Sequence, residues 1–351
     1  MKQKVLFFVN SHAGGAEKMT LNIAGFLNPD LYDVIYYVVG KDLGLIYNFI
    51  PKDRSVTLLK VKSYRDFLVL KFMKTIMKEK PDYVFSSLFP MNWRLCLASA
   101  IFPRVKVIIR ANNYLHTQSF VQKSRLFISY RFVDKMIVQA SEMRDEHINL
   151  LKLSAAKVVT LPNPVNTQAI ARKLEDVSSP YSHDHINYVF VGRLVHIKGV
   201  DILIKSFAII LKTQPKALLY IVGEIGGIFS DCYESLLKNI EKLDIVDKVI
   251  FTGFSDNPYV YMKFANCFVL PSRNEGLPNV VIESLFLGTP VAVTKSVPVI
   301  SRIVRDGVDG YVVDVNDVNG LADAMKKAIK LGRVTSTYKS ATKEDFQNLF
   351  Q

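Results

Sequence analysis

The sequence predicts an α/β protein of two domains, each a doubly wound, Rossmann-like parallel sheet. Three observations predict it. Apolar runs of strand length alternate with longer amphipathic stretches, the rhythm of parallel strands joined by crossover helices. At 351 residues, 49% of them apolar, the chain can bury two cores of ordinary size. Between two such series lies Asn166–His185, a polar stretch of weak periodicity containing Ser178, Ser179 and Pro180. The expected layout is a first domain over 1–165, a linker over 166–185, a second domain over 186–335 and a closing segment over 336–351.

In the first domain, Lys4–Val9 reads as a strand and Ser11–Glu17, SHAGGAE, as a glycine turn leading into a helix from about Ala16 to Leu27. Strand, Gly-Gly and helix in that order let a backbone approach a phosphate closely, although such turns are often packing devices. No G-x4-G-K-[ST] follows, so this is not a P-loop. Strands then fall at Tyr32–Val39, Val56–Val61, Tyr83–Ser87, Lys106–Arg110 and Asp134–Val138, with helices near Arg65–Glu79 and Trp93–Phe102. The polar run after the fifth strand offers Arg110, Asn112, Asn113 and His116, and His116 reads most simply as a plain loop histidine.

The second domain opens with the strand Tyr188–Val191 and the loop Gly192-Arg193-Leu194-Val195-His196-Ile197-Lys198-Gly199. An amphipathic helix follows, with Leu203, Ile204, Phe207, Ala208 and Leu211 on one face. Arg193 and Lys198 therefore stand at a strand's C-terminal end, where open α/β sheets bind ligands; as isolated residues they would be ordinary surface cations. Further on, Phe268–Leu270 closes a buried strand, Pro271–Leu277 is a loop, and a helix is expected from Pro278 to a stop at Gly288 and Pro290. This places Glu275 in the loop and Glu283 on the helix, sharing a face with Asn279. Free N–H groups over Gly276, Leu277 and Asn279 suit an anion, and a carboxylate one turn into the helix can accept from two vicinal hydroxyls.

The stretch SRNEGLPNVVIESLFLGTPV resembles the E-x7-E block of family 4 retaining glycosyltransferases, and GRLVHIKGVDILIKSF resembles their block for the donor diphosphate. The resemblance runs from about Lys4 to Ile329. It implies the GT-B fold, two Rossmann-like domains facing across a cleft, with a C-terminal helix returning to the first. It implies transfer of a sugar from a nucleotide donor to a hydroxyl with retained configuration. Arg193 and Lys198 would then hold the diphosphate, Glu283 the ribose hydroxyls, and Glu275 with Gly276–Asn279 the donor sugar and phosphates. Gly14 and Gly15 match the family's N-terminal glycine loop, and Gly192 opens the cationic one. Family members often carry a histidine at the end of the strand that here closes on Arg110, so the acceptor-side residue stays open among Arg110, Asn112, Asn113 and His116. Ile225 stands where a further glycine is common.

The overall pattern looks most like transferases using UDP-hexoses or UDP-N-acetylhexosamines to extend a surface polysaccharide or lipid-linked oligosaccharide, such as capsule or O-antigen. No cofactor is expected and no metal: Asp314 and Asp317 in VDVNDVNG lie beyond the expected site. A nicotinamide dehydrogenase would need G-x-G-x-x-G after Val9 or Val191, and neither is there. A non-catalytic basic anion-binding protein would explain charge but not GLPN between two glutamates, and no nucleic-acid-binding motif is present.

Charge and apolar length bound the location. No apolar stretch reaches the roughly 18 residues that cross a bilayer, and Val5–Val9 is too short for a secretory core. Cys96, Cys232 and Cys267 are few and scattered, which fits a reducing cytoplasm. The net charge of +13 divides into +12 over Met1–Val165 and +1 over the remainder. Lys71, Lys74 and Lys78 share a helical face near Tyr64, Phe67, Phe72 and Met73, and a second basic-aromatic stretch carries Lys123, Arg125, Phe127, Tyr130, Arg131 and Phe132. The expectation is peripheral attachment to the anionic inner face of the cytoplasmic membrane.

Overall fold

The computed structural model describes residues 2–12, 14–62, 68–116, 118–182, 184–225 and 230–351. They divide into two compact units, one formed by Met1–Pro164 with Lys339–Gln351 and the other by Val165–Tyr338.

The first unit contains seven strands: β1 (Gln3–Asn10), β2 (Tyr32–Gly40), β3 (Ser55–Lys60), β4 (Tyr83–Ser86), β5 (Lys106–Arg110), β6 (Lys135–Val138) and β7 (Val158–Thr160). They lie in the order β3-β2-β1-β4-β5-β6-β7, every pair parallel. The central strand shows why its sequence is an unbroken apolar run. Val5 through Val9 are all buried because helices cover both faces. On one face Phe8 meets Phe72 of the helix Leu68–Glu79, with ring centroids 4.7 Å apart. On the other, Phe7 meets Phe85 at 4.9 Å and both face Phe350 from the C-terminal segment. That segment holds the helix Lys343–Gln347, started by a capping box between Thr342 and Asp345, and the Tyr32 hydroxyl donates to the Phe350 carbonyl at 2.8 Å.

One stretch differs from the sequence reading, and one strand has no counterpart in it. That strand is β7, whose Val158 and Val159 pair with Met136 and Ile137 at the sheet edge. The 166–185 stretch, read as a linker, belongs to the second unit and carries the helix Thr167–Lys173, capped by the Asn166 side chain. The helix shows weak periodicity because Ile170 is the one residue it buries. Tyr181, in the same stretch, is buried against Tyr220 at 4.6 Å and donates to the Tyr261 carbonyl.

The second unit contains β8 (Ile186–Val191), β9 (Ala217–Val222), β10 (Val249–Gly253), β11 (Cys267–Leu270), β12 (Val291–Thr294) and β13 (Gly310–Val313), in the parallel order β10-β9-β8-β11-β12-β13. Its principal helices include Val200–Leu211, Pro258–Phe264, Asn279–Phe286 and Val318–Ala328. Strand order reverses between β1 and β4 in the first sheet and between β8 and β11 in the second. Such reversals open a crevice beyond the strands' C-terminal ends, the usual ligand position in this architecture.

Candidate functional site

At the reversal in the second unit, the loops after β8 and β11 carry the two motifs singled out in the sequence. Pairing of Cys267 with Tyr188 and of Phe268 with Val189 sets the strands side by side, so Gly192–Lys198 and Pro271–Pro278 leave the sheet as neighbours. Close backbone packing is enforced by glycine. Gly199 has φ +69°, and a Cβ on it would lie 2.0 Å from the Pro271 carbonyl oxygen. A Cβ on Gly223 would lie as near to the Gly192 carbonyl oxygen, while the Gly192 N–H donates to Val222.

The loops bring Lys198 and Glu275 together. Lys198 Nζ donates to Glu275 Oε1 at 2.6 Å, and the hydroxyl of fully buried Ser272 donates to the same oxygen at 2.6 Å. The lysine side chain is 18% exposed and the glutamate 10%, so the pair is largely sheltered. The backbone N–H of Glu275 donates to Ser296 at 3.2 Å. Arg193 is exposed at the head of the other loop.

The helix carrying Glu283 begins at Asn279 with Pro278 as its N-cap residue, one position later than expected. The N–H of Asn279 donates to Leu277 at 3.0 Å. Asn279 therefore drops out of the expected set of free amides, because the Pro278 turn closes on itself. Glu283 is half-buried near Tyr259, whose hydroxyl is pushed well up first by burial and then by the Glu283 charge.

Sequence reasoning missed four neighbours of these loops: Ser272, Tyr259, Asp201 and Arg273. The Arg273 guanidinium grips both carboxylate oxygens of Asp201 at 2.8 Å and donates to the His196 carbonyl at 2.6 Å. Burial alone would raise the Asp201 carboxyl, but hydrogen bonds and charge from Arg273 hold it below its ordinary value. The pair is 72 positions apart, so no local spacing signals it.

In the first unit, Gly14 caps the helix Gly15–Phe26 in an extended conformation, φ −77° and ψ 177°, close behind the end of β1. Arg110, offered as an acceptor-side residue, is 3% exposed. Its guanidinium donates to Asn112 Oδ1 and Asn163 Oδ1, Asn112 in turn donates to the Ser87 carbonyl, and Gln139 donates to Ala111 at 2.8 Å. This network ties the ends of β4, β5 and β6 together, and within it Arg110 holds Asn112 in place. Asn113 and His116 are exposed. His116 Nδ1 lies 3.0 Å from Glu146, whose carboxylate also accepts the N–H groups of Leu115 and His116. The structure therefore holds His116 in a capped loop, apart from the Arg110 network. Among the described residues no group of three or more His, Cys, Asp or Glu could hold a metal ion.

Comparison with known proteins extends this geometry. Residues 13–169 match the family model described as Glycosyltransferase Family 4, and residues 171–345 match that described as Glycosyl transferases group 1. A Campylobacter jejuni protein named N-acetylgalactosamine-N,N'-diacetylbacillosaminyl-diphospho-undecaprenol 4-alpha-N-acetylgalactosaminyltransferase is 28% identical over 79% of this chain and 75% of its own length. The amylovoran biosynthesis glycosyltransferase AmsD of Erwinia amylovora is 24% identical over 89% of this chain and 86% of its own. Among solved structures, Anabaena HepE in complex with UDP and glucose superposes with a TM-score of 0.76 at 18% identity, covering 99% of this chain and 94% of that one. That likeness shows the GT-B fold, and with the paired family matches it follows that the chain is a glycosyltransferase belonging to family 4.

Proposed function

We propose that the protein transfers a hexose or N-acetylhexosamine from a UDP-sugar, with retention of configuration, to a hydroxyl of a lipid-linked oligosaccharide or surface polysaccharide. The observation that carries this reading is the Lys198–Glu275 pair at the strand reversal, with Arg193 heading the same crevice and Glu283 on the next helix. A departing nucleoside diphosphate gains negative charge, and fixed cations with loop amides stabilise it without reorganising. Glu283, one turn into its helix, offers a carboxylate acceptor to vicinal hydroxyls such as those of a ribose. The printed names of relatives support the acceptor class, since the Campylobacter protein is named for a diphospho-undecaprenol carrier and the Erwinia one for a polysaccharide. The UDP in the Anabaena structure supports the nucleotide.

A panel of UDP- and GDP-sugars scored by nucleotide release, with and without EDTA, tests donor and metal together. Turnover on a UDP-sugar that survives EDTA is expected. Activity confined to GDP-sugars, or abolished by EDTA and restored by manganese, would count against the scheme.

The same reading places the acceptor at a membrane. The helix Phe120–Ser129 exposes Phe120 (83%), Val121, Phe127 and Ile128, with Phe132 following, beside Arg125 and Arg131. The Arg131 guanidinium stacks 4.5 Å above the Phe127 ring. Lys74 and Lys78 are exposed on the helix Leu68–Glu79, beside Leu70 and Met77, whereas Lys71 turns its ammonium onto the Lys60 carbonyl. Phe72 and Tyr130, grouped with these aromatics in the sequence, are buried because they fall on the inward stripe of their segments; Tyr64 and Phe67 lie outside the described residues. No described helix is long and apolar enough to cross a membrane. Each cation near an anionic leaflet contributes about 1 kcal/mol. Flotation should therefore recover the protein with anionic liposomes at low salt, less at raised salt and little with neutral lipid. Equal recovery with both lipids, or none, would favour a soluble acceptor.

A further inference from the structure

We infer that Arg273 is a positioning residue of the donor site: through Asp201 and the His196–Ile197 backbone it fixes the loop that aims Lys198. The inference rests on the diphosphate reading of Lys198. Lysine is a point charge on a flexible four-carbon stem, so where its ammonium sits depends on how firmly its backbone is held. The segment bearing Lys198 is a single turn, His196–Lys198, followed by left-handed Gly199. Arg273 fastens this turn from the facing loop three times. Its N–H donates to the Ile197 carbonyl at 2.7 Å, its guanidinium to the His196 carbonyl at 2.6 Å, and its fork to Asp201 in the first turn of the next helix.

Two residues beyond Arg273, Glu275 takes hold of the Lys198 ammonium itself. One facing loop thus grips both ends of the lysine: Arg273 its backbone, Glu275 its charge. Gly199, pressed against the Pro271 carbonyl, closes the remaining freedom of the turn.

The alternative is that Arg273 binds the diphosphate directly, and the Asp201 pair separates the two roles. A carboxylate engaging both guanidinium nitrogens neutralises the arginine where it stands. If Arg273 were a phosphate ligand, Asp201→Asn would release it and remove a nearby negative charge, so diphosphate binding would strengthen. If Arg273 positions Lys198, the same change loosens the turn and diphosphate binding weakens.

The test uses the full chain with UDP and UMP as calorimetric probes, and amide hydrogen exchange over 194–203 without ligand. Arg273→Gln and Asp201→Asn are each expected to weaken UDP binding roughly tenfold, as small misplacements of a charged group do, while UMP binding stays within about twofold. Arg273→Lys should behave like Arg273→Gln, because an ammonium cannot reproduce the two-pronged grip. Exchange over 194–203 should rise in both loss variants, while thermal midpoints stay near that of the wild type. A UDP affinity unchanged or increased in Asp201→Asn overturns the inference, and so does unchanged exchange. Equal wild-type affinity for UDP and UMP, with no effect of Lys198→Ala on either, overturns the diphosphate reading and this inference with it. The exchange result still reports whether the clamp exists.

Discussion

Lys198→Ala is expected to lose about 2–4 kcal/mol of transition-state stabilisation, the usual cost of removing one preorganised electrostatic donor. Read as kcat/KM for nucleotide release, that is a fall of roughly 30- to 1,000-fold. The structure makes this variant worse than Arg193→Ala. Removing the ammonium leaves Glu275, 10% exposed, with Ser272 as its remaining side-chain donor, so a carboxylate faces the departing diphosphate. Adding Glu275→Gln to Lys198→Ala should therefore recover part of the loss, whereas the two changes would simply add if the residues acted apart. A Lys198→Ala enzyme turning over at nearly the wild-type rate would remove the central residue of the proposed site.

The second large effect concerns stability. Phe350 is fully buried against Phe7, Tyr32, Tyr83 and Phe85, and Phe346 packs 5.6 Å from Phe26. Replacing a buried phenylalanine by alanine costs about 3–5 kcal/mol. Because these partners all belong to Met1–Pro164, the loss should fall on one unit. Urea unfolding followed by hydrogen exchange should show the midpoint of peptides from β1, β2 and β4 drop, while peptides from β8 and β11 keep theirs. Equal shifts in both sets, or none, would show that the C-terminal segment is not part of the first core.

Much of the fold was legible because parallel strands write themselves as apolar runs. Val5–Val9 and Phe268–Leu270 are buried on both faces, and nothing in their sequence alternates. Elements that bury little were the ones lost. Thr167–Lys173 hides only Ile170, and β7 is a three-residue edge strand. In the site, Lys198 and Glu275 were legible from their loops, since strand ends at a reversal of strand order converge whatever their distance along the chain. The enclosure of Arg110 by Asn112 and Asn163 was not legible, because a guanidinium at a strand end gives no local sign of a partner as far along the chain as Asn163. Asp201 and Arg273 were illegible as a pair: each looks like a solvated charge, and only the packing of Gly199 on Pro271 brings their loops within reach.

The chain leaves the first unit at Pro164 and re-enters it at Lys339. On the ribosome, β1 to β7 are therefore made long before Phe346, Leu349 and Phe350, which complete their aromatic face. The second unit is one uninterrupted segment and has all its parts first. Vectorial synthesis, which ordinarily lets the N-terminal domain mature ahead of its successor, is here inverted. Until those last residues are made, the aromatic face around Phe7 and Phe85 lacks the side chains that cover it in the folded chain.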